Sequence, residues 1–160
     1  MPPEGSDFTA GLPRKRMGAG LLVTDPAGRV LLVEPAYKTS WEIPGGCVEA
    51  DESPHRTAAR ECREELGLAI EPGRLLVVDW VPPRHPRTEG VMFVYDGGRL
   101  TPSQAALIVL PPAELRSWSW CDRREADGRL VPLLARRVAE ALAARDDGVT
   151  RYLEDGFRVS

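Results

Sequence analysis

The 160 residues are 42% hydrophobic and 28% charged, with a formal net charge of −3. That balance suits one globular domain with a real core. It argues against a disordered chain and against a dedicated binder of nucleic acid or membrane surface, while leaving room for a small anionic ligand or a nucleotide held through metal.

The first stretch, Met1 to Pro13, mixes Pro and Gly with isolated hydrophobes and reads as a flexible tail, followed by a single domain over 14–160. Arg14, Lys15 and Arg16 then form a short basic cluster at a strand entry, the kind of cluster that is usually solvated. Gly18–Thr24 and Arg29–Glu34 are apolar runs joined by Asp25-Pro26-Ala27-Gly28, which predicts a hairpin. Their apolarity is continuous rather than alternating, so both faces of these strands should be covered. Trp41-Glu42-Ile43 is a short extended piece, with Trp41 as a packing anchor, leading to the tight loop Pro44-Gly45-Gly46.

The most informative stretch follows. Ser53 as N-cap, Pro54 at the first helical position and Gly67 as a left-handed stop predict a helix over Pro54–Leu66. At 3.6 residues per turn, Glu61, Glu64 and Glu65 fall on one face within about 6 Å of each other. Like charges at that spacing destabilise a helix, and in its last turn the dipole favours cations instead. A hard divalent ion such as Mg2+ or Mn2+ reverses the sign of this effect, because carboxylate oxygens coordinate it. Glu52 adds a fourth carboxylate, Arg60 can grip one glutamate in a bidentate pair, and Cys62 faces inward.

The spacing Gly46-x5-Glu52-x7-Arg60-Glu61-Cys62-Arg63-Glu64-Glu65-Leu66-Gly67-Leu68 resembles the Nudix box, G-x5-E-x7-R-E-U-x-E-E-x-G-U with U a bulky aliphatic residue. All seven fixed positions are present, and the departure is Cys62 at the first U. The resemblance is close over Glu42–Leu68 and looser from about Met17 to Ala144.

Past the box, Arg74–Val81 and Val91–Tyr95 read as strands, separated by a proline-stiffened loop carrying Arg84, His85 and Arg87. Ala105–Leu110 reads as another strand. Arg129–Arg145 is an amphipathic helix with Leu130, Leu133, Leu134, Val138, Ala141 and Leu142 on one face and Arg136, Arg137, Glu140 and Arg145 elsewhere. Val149–Ser160, with Tyr152, Leu153 and Phe157, packs across the body or meets a second subunit, so a homodimer stays open. Strands interleaved with helices predict an α/β protein with a mixed sheet between helical layers. The resemblance implies the same fold, the Nudix α/β/α sandwich.

Cys47, Cys62 and Cys121 are odd in number and lack C-x-x-C pairing, and His55 and His85 have no ligand spacing. Neither a disulfide framework nor a zinc site is indicated, and a cytoplasmic location is expected. No apolar run reaches transmembrane length and no signal core is present.

The resemblance implies Mg2+-dependent hydrolysis, with Mn2+ as an alternative, of a phosphoanhydride bond in a nucleoside diphosphate linked to another moiety. It implies Glu61, Glu64 and Glu65 as metal ligands, Glu52 supporting the metal shell, and Gly46 turning the loop and offering its carbonyl. Arg60 holds a glutamate in place, and Glu64 or Glu65 deprotonates water in some members. Glu114, six residues before Trp120, resembles a later glutamate that other members add as ligand or base. Pro83, fifteen residues after Leu68, stands where members that cleave ADP-ribose tend to carry a proline. The alternative is a non-catalytic nucleotide-sensing domain that reports to a partner protein.

Overall fold

A computed structural model describes Gly5 and residues 7–160. The tail expected over 1–13 falls partly outside these residues. Its described part includes a single 3-10 turn over Phe8–Gly11, started by the Asp7 side chain accepting from the Thr9 N–H at 2.9 Å.

The strands are β1 (Arg16–Thr24), β2 (Val30–Pro35), β3 (Gly45–Cys47), β4 (Leu75–Val81), β5 (Gly90–Arg99), β6 (Leu115–Cys121), β7 (Arg151–Glu154) and β8 (Phe157–Arg158). The helices are α1 (Pro54–Leu66), α2 (Pro102–Ala105), α3 (Arg123–Arg129) and α4 (Pro132–Asp147). Among the described residues the eight strands form one mixed sheet in the order β6-β2-β1-β5-β4-β7-β8, with β3 also paired to β1. The pairs β1/β5 and β4/β7 are parallel and the others antiparallel.

The expected hairpin is present, but β1 and β2 are registered only at Thr24 and Val30. Beyond that point the strands separate, and β3 takes the same edge of β1 at its other end, with Gly46 opposite Ala19. This split edge gives the glycine loop a place in the sheet. Along β1 the residues alternate: Ala19, Leu21 and Val23 pack under α1 with Ala58, Cys62 and Leu66, while Leu22 faces the α4 side with Val138, Ala141 and Ala144. Both faces are therefore covered, as the continuous apolar runs predict, and helices lie on both sides of the sheet.

Helix α1 has the expected ends. Ser53 accepts from the Arg56 N–H at 3.2 Å, and Gly67, at φ 70°, donates to the Arg63 carbonyl at 2.9 Å. Three expectations are corrected. Ala105–Leu110 is not a strand: Thr101 and Gln104 form a capping box around Pro102 that starts α2, and the chain then runs irregularly with Leu107 and Val109 exposed. The helix expected over Arg129–Arg145 is two helices, because Pro132 holds Val131 in extended backbone (φ −63°, ψ 153°) and ends α3 before α4 begins. Arg137, expected away from the apolar face, is buried. The C-terminal segment forms the hairpin β7/β8 and joins its own sheet beside β4.

Candidate active site

The expected acidic helix and glycine loop meet at β3. Gly46 lies against the Glu61 carboxylate so closely that a Cβ there would sit 2.3 Å from Oε1. The neighbouring Gly45 donates its N–H to Glu65 Oε2 at 3.2 Å, and a Cβ on Gly45 would strike the Ala19 carbonyl at 2.5 Å. A side chain at Gly46 would push the loop off the helix, and one at Gly45 would push it off β1.

Arg60 stands at the centre of the remaining acids. Its Nε and Nη2 donate to the two oxygens of Glu52 at 2.7 and 3.0 Å. Its Nη1 donates to Glu61 at 3.0 Å and Glu64 at 3.2 Å, and Nη2 also reaches the Cys47 carbonyl at 3.2 Å. The bidentate partner is thus Glu52. Both of its oxygens are occupied, one by Arg60 and the other by Arg60, the Thr57 hydroxyl and the Glu49 N–H.

The three helix glutamates do not share one environment. Glu65 is buried, Glu61 half-buried and Glu64 exposed. At 100° per residue Glu61 and Glu65 stand about 40° apart, whereas Glu64 is turned roughly 100° from Glu65. Glu61 and Glu65 therefore point under the glycine loop and Glu64 points to its rim.

Charge at this place is not balanced. Burial pushes Glu65 up to about 8; the Gly45 N–H opposes this, and the charges of Glu61, Glu42 and Glu114 add to it. Glu61 is raised as well, mainly by burial, with Arg60 pulling down and Glu64 and Glu114 pushing up. Glu52, by contrast, is held down to about 2 by Arg60 and then by Thr57. Cys62 is buried and its thiol pushed up to about 12, which makes it inert, as its inward position predicts.

Glu114 closes a turn in which its N–H bonds the Pro111 carbonyl, and its charge acts on both Glu61 and Glu65. It therefore approaches the same space from outside the helix. Glu42 is a member of this group that sequence reasoning missed. It is bridged to Val33 and paired with Lys38, and its signal was a carboxylate three residues before Gly45.

Among the described residues no three His, Cys, Asp or Glu side chains converge as a ready-made metal cage, because Arg60 gathers Glu52, Glu61 and Glu64 to itself. The donor set nonetheless suits a hard dication. Glu65 is a buried carboxylate whose one hydrogen-bond partner among the described residues is the Gly45 N–H, and its neighbours are acids. Carboxylate and carbonyl oxygens are what Mg2+ and Mn2+ take.

Beside this acid group a cleft of about 630 Å³ opens on the α4 side of the sheet. The loop Gly45–Glu52 forms one wall, Arg14, Lys15 and Arg16 another, and Met92, Val94 and Leu134 the interior. Lys15 pairs with Glu89 and Arg16 donates to the Thr88 carbonyl at 2.9 Å, so two members of the basic cluster are tethered at the cleft rim while all three stay exposed, as expected. Arg84, His85 and Arg87 do not line this cleft, nor does Pro83, and Arg84 is held on Asp155 at 2.5 Å. Trp41 packs against the α4-side core under the Arg129 guanidinium, 4.3 Å from its ring, in the anchoring role expected of it.

Comparison with known proteins gives the same picture. The family model for the NUDIX domain matches residues 14–144. A MutT-like protein of Streptomyces ambofaciens is 32% identical over 124 residues, covering 78% of this chain and 74% of that protein. An RNA pyrophosphohydrolase of Halorhodospira halophila is 43% identical over 53 residues, but these span 33% of this chain and 29% of the relative. Among solved structures, the MutT protein from Methanosarcina mazei Go1 superposes with a TM-score of 0.66 at 22% identity, covering 86% of this chain and 98% of that one. At that identity the likeness speaks for the fold alone.

Proposed function

This chain belongs to the NUDIX domain family, and on that footing we propose that it is a Mg2+-dependent hydrolase acting on a nucleoside diphosphate linked to another moiety. The bond broken is the phosphoanhydride. The observation that carries this reading is the seating of Glu61 and Glu65 under Gly45 and Gly46, where burial and neighbouring acids leave two carboxylates short of positive charge.

Glu61, Glu64 and Glu65, with the Gly46 carbonyl, would hold Mg2+ or Mn2+. When bound, such an ion neutralises a diphosphate and makes a water more acidic. Glu52 serves this set by fixing Arg60, since its own oxygens are occupied. Arg60 in turn holds Glu61 and Glu64 beside the site, and an ion would draw their oxygens away from its Nη1. The proton of the attacking water passes to a carboxylate of this group, Glu64, Glu65 or Glu114. The organic part of the substrate occupies the adjoining cleft, whose volume falls in the range of small-molecule sites. We take residues 14–160 as one catalytic domain; among the described residues no helix is long and apolar enough to cross a membrane.

A panel of nucleoside diphosphate sugars, ADP-ribose, dinucleoside polyphosphates and nucleoside triphosphates, incubated with Mg2+ or Mn2+ and resolved by mass, tests the reading. The expected result is metal-dependent release of a nucleoside monophosphate and a second phosphorylated product from at least one compound. Metal-dependent nucleotide binding with no product from any of them would favour a nucleotide-sensing domain instead.

A further inference from the structure

On the α4 side of the sheet, the far end of the cleft is built around a charge pair that the hydrolytic reading does not use. Asp79, in the middle of β4, is fully buried, and the Arg137 side chain on α4 is 8% exposed. Arg137 Nε donates to Asp79 Oδ2 at 2.7 Å, and the Gly156 N–H donates to Oδ1 at 3.0 Å. Asp79 is thereby satisfied from two sides. Among the described residues the terminal nitrogens of Arg137 have no hydrogen-bond partner, and the residue lines the cleft.

Register places this pair relative to the acid group. Cys47 is opposite Gly18, Gly18 opposite Met92, and Met92 opposite Asp79, so one row crosses β3, β1, β5 and β4. Three strand spacings make about 14 Å between the glycine loop and Asp79. The β1 part of the floor carries no side chains at Gly18 and Gly20, and its neighbours close over those positions: a Cβ on Gly18 would lie 2.7 Å from Met92 Sδ, and one on Gly20 would lie 2.7 Å from the Pro44 carbonyl. Met92, Val94, Ile43 and Leu134 border it. A flat, largely apolar group can lie on such a floor with its edge at Arg137 and its phosphates toward Gly46.

The pair also selects the kind of edge. Asp79 cancels the charge of Arg137, so a buried phosphate or carboxylate there would bring an uncompensated negative charge into apolar surroundings. A neutral group with two adjacent acceptors suits the two terminal nitrogens, because a planar guanidinium presents parallel N–H donors. Among nucleobases, guanine and its 6-oxopurine relatives offer that pair at O6 and N7. Adenine sets an amino donor at the corresponding position, and 8-oxoguanine carries a hydrogen on N7.

We infer that Arg137, oriented by Asp79, is a specificity-determining residue that reads the O6 and N7 edge of an unoxidised 6-oxopurine in the substrate. This rests on the reading of the cleft as the substrate site of the hydrolase. In calorimetric titrations the wild-type protein is expected to bind GMP more tightly than AMP or 8-oxo-GMP, by roughly tenfold or more, the scale of one bidentate base contact. With Mg2+, the expected kcat/KM for GDP-glucose exceeds that for ADP-glucose by a similar factor. The R137K variant keeps a cation on Asp79 but loses the planar fork, so it raises KM for the guanine substrate alone and removes the preference.

The ranking of the three monophosphates by wild-type protein needs no variant, so it stands as a test even if R137K folds poorly. Equal binding of GMP and AMP, tighter binding of 8-oxo-GMP, or equal weakening of both sugar substrates by R137K would overturn the inference. Hydrolysis without base preference removes this inference and leaves the hydrolase reading intact. Base preference without hydrolysis of any substrate removes the hydrolase reading and leaves Arg137 in its role.

Discussion

Both faces of the sheet bury carboxylates, and they dispose of the charge in opposite ways. Under α4, Asp79 is met by one guanidinium and one backbone N–H, so its charge is matched within the fold. Under α1, Glu65 has a single N–H at 3.2 Å, with Glu61, Glu42 and Glu114 as further negative neighbours. The one guanidinium bonded to this group is shared among Glu52, Glu61 and Glu64. A carboxylate buried only for the fold's own stability would be met as Asp79 is. The surplus of negative charge on the α1 side makes sense as part of a site completed from outside the chain.

The largest effect that would separate the two sides is on folding. Asp79→Ala leaves Arg137 buried without its partner and should cost about 3–5 kcal/mol. Denaturant unfolding measures it, and a loss below about 1 kcal/mol would mean that the α4-side pair is less closed than its geometry. Next in size is a change confined to rate. Glu52→Gln weakens the grip on Arg60, and loss of such outer support typically lowers activity about 10–100-fold. Steady-state kinetics on the best substrate of the panel should show that fall with little change in melting temperature. An unchanged rate would make Arg60 an ornament of the loop.

A third difference lies in the pH dependence of the metal-free protein. Glu65 is raised from 4.5 to about 8, so between those values the native state holds a proton that the unfolded chain has released. Its contribution to stability is complete below pH 4.5 and is lost as pH rises toward 8. Melting temperature in a chelator should therefore decline across that window, and Glu65→Gln should flatten the decline. A wild-type profile already flat, or one that rises, would show that Glu65 is not the uncompensated group.

Much of the α1 side was legible in the chain because its signals are local. Ser53, Pro54 and Gly67 fix the helix ends within a few residues of each other, and the acid spacing follows from helical geometry. What spacing could not show was depth: Glu64 and Glu65 are neighbours in sequence, yet one is exposed and the other buried, because the glycine loop covers only one side of the helix. Arg60 was expected to grip a glutamate, and its bidentate partner proved to be Glu52, before the helix.

The α4 side was hard to read because its contacts are long-range. Asp79 sits in an apolar strand, Arg137 in a helix with several arginines, and nothing within either segment names the other as its partner. A charged residue amid Leu75–Val81 was the available clue. The strand expected over Ala105–Leu110 failed for a local reason, the capping box of Thr101 and Gln104, which outweighed the apolar run that follows it.

A calorimetric titration of the metal-free protein with Mn2+, run in parallel on wild type and Glu61→Gln, bears most directly on the charge surplus under the glycine loop. Saturable binding by wild type, at least about tenfold weaker in the variant as expected when a ligand to the metal is lost, is the predicted result. Binding that is absent from the wild type, or unchanged in Glu61→Gln, would contradict the account.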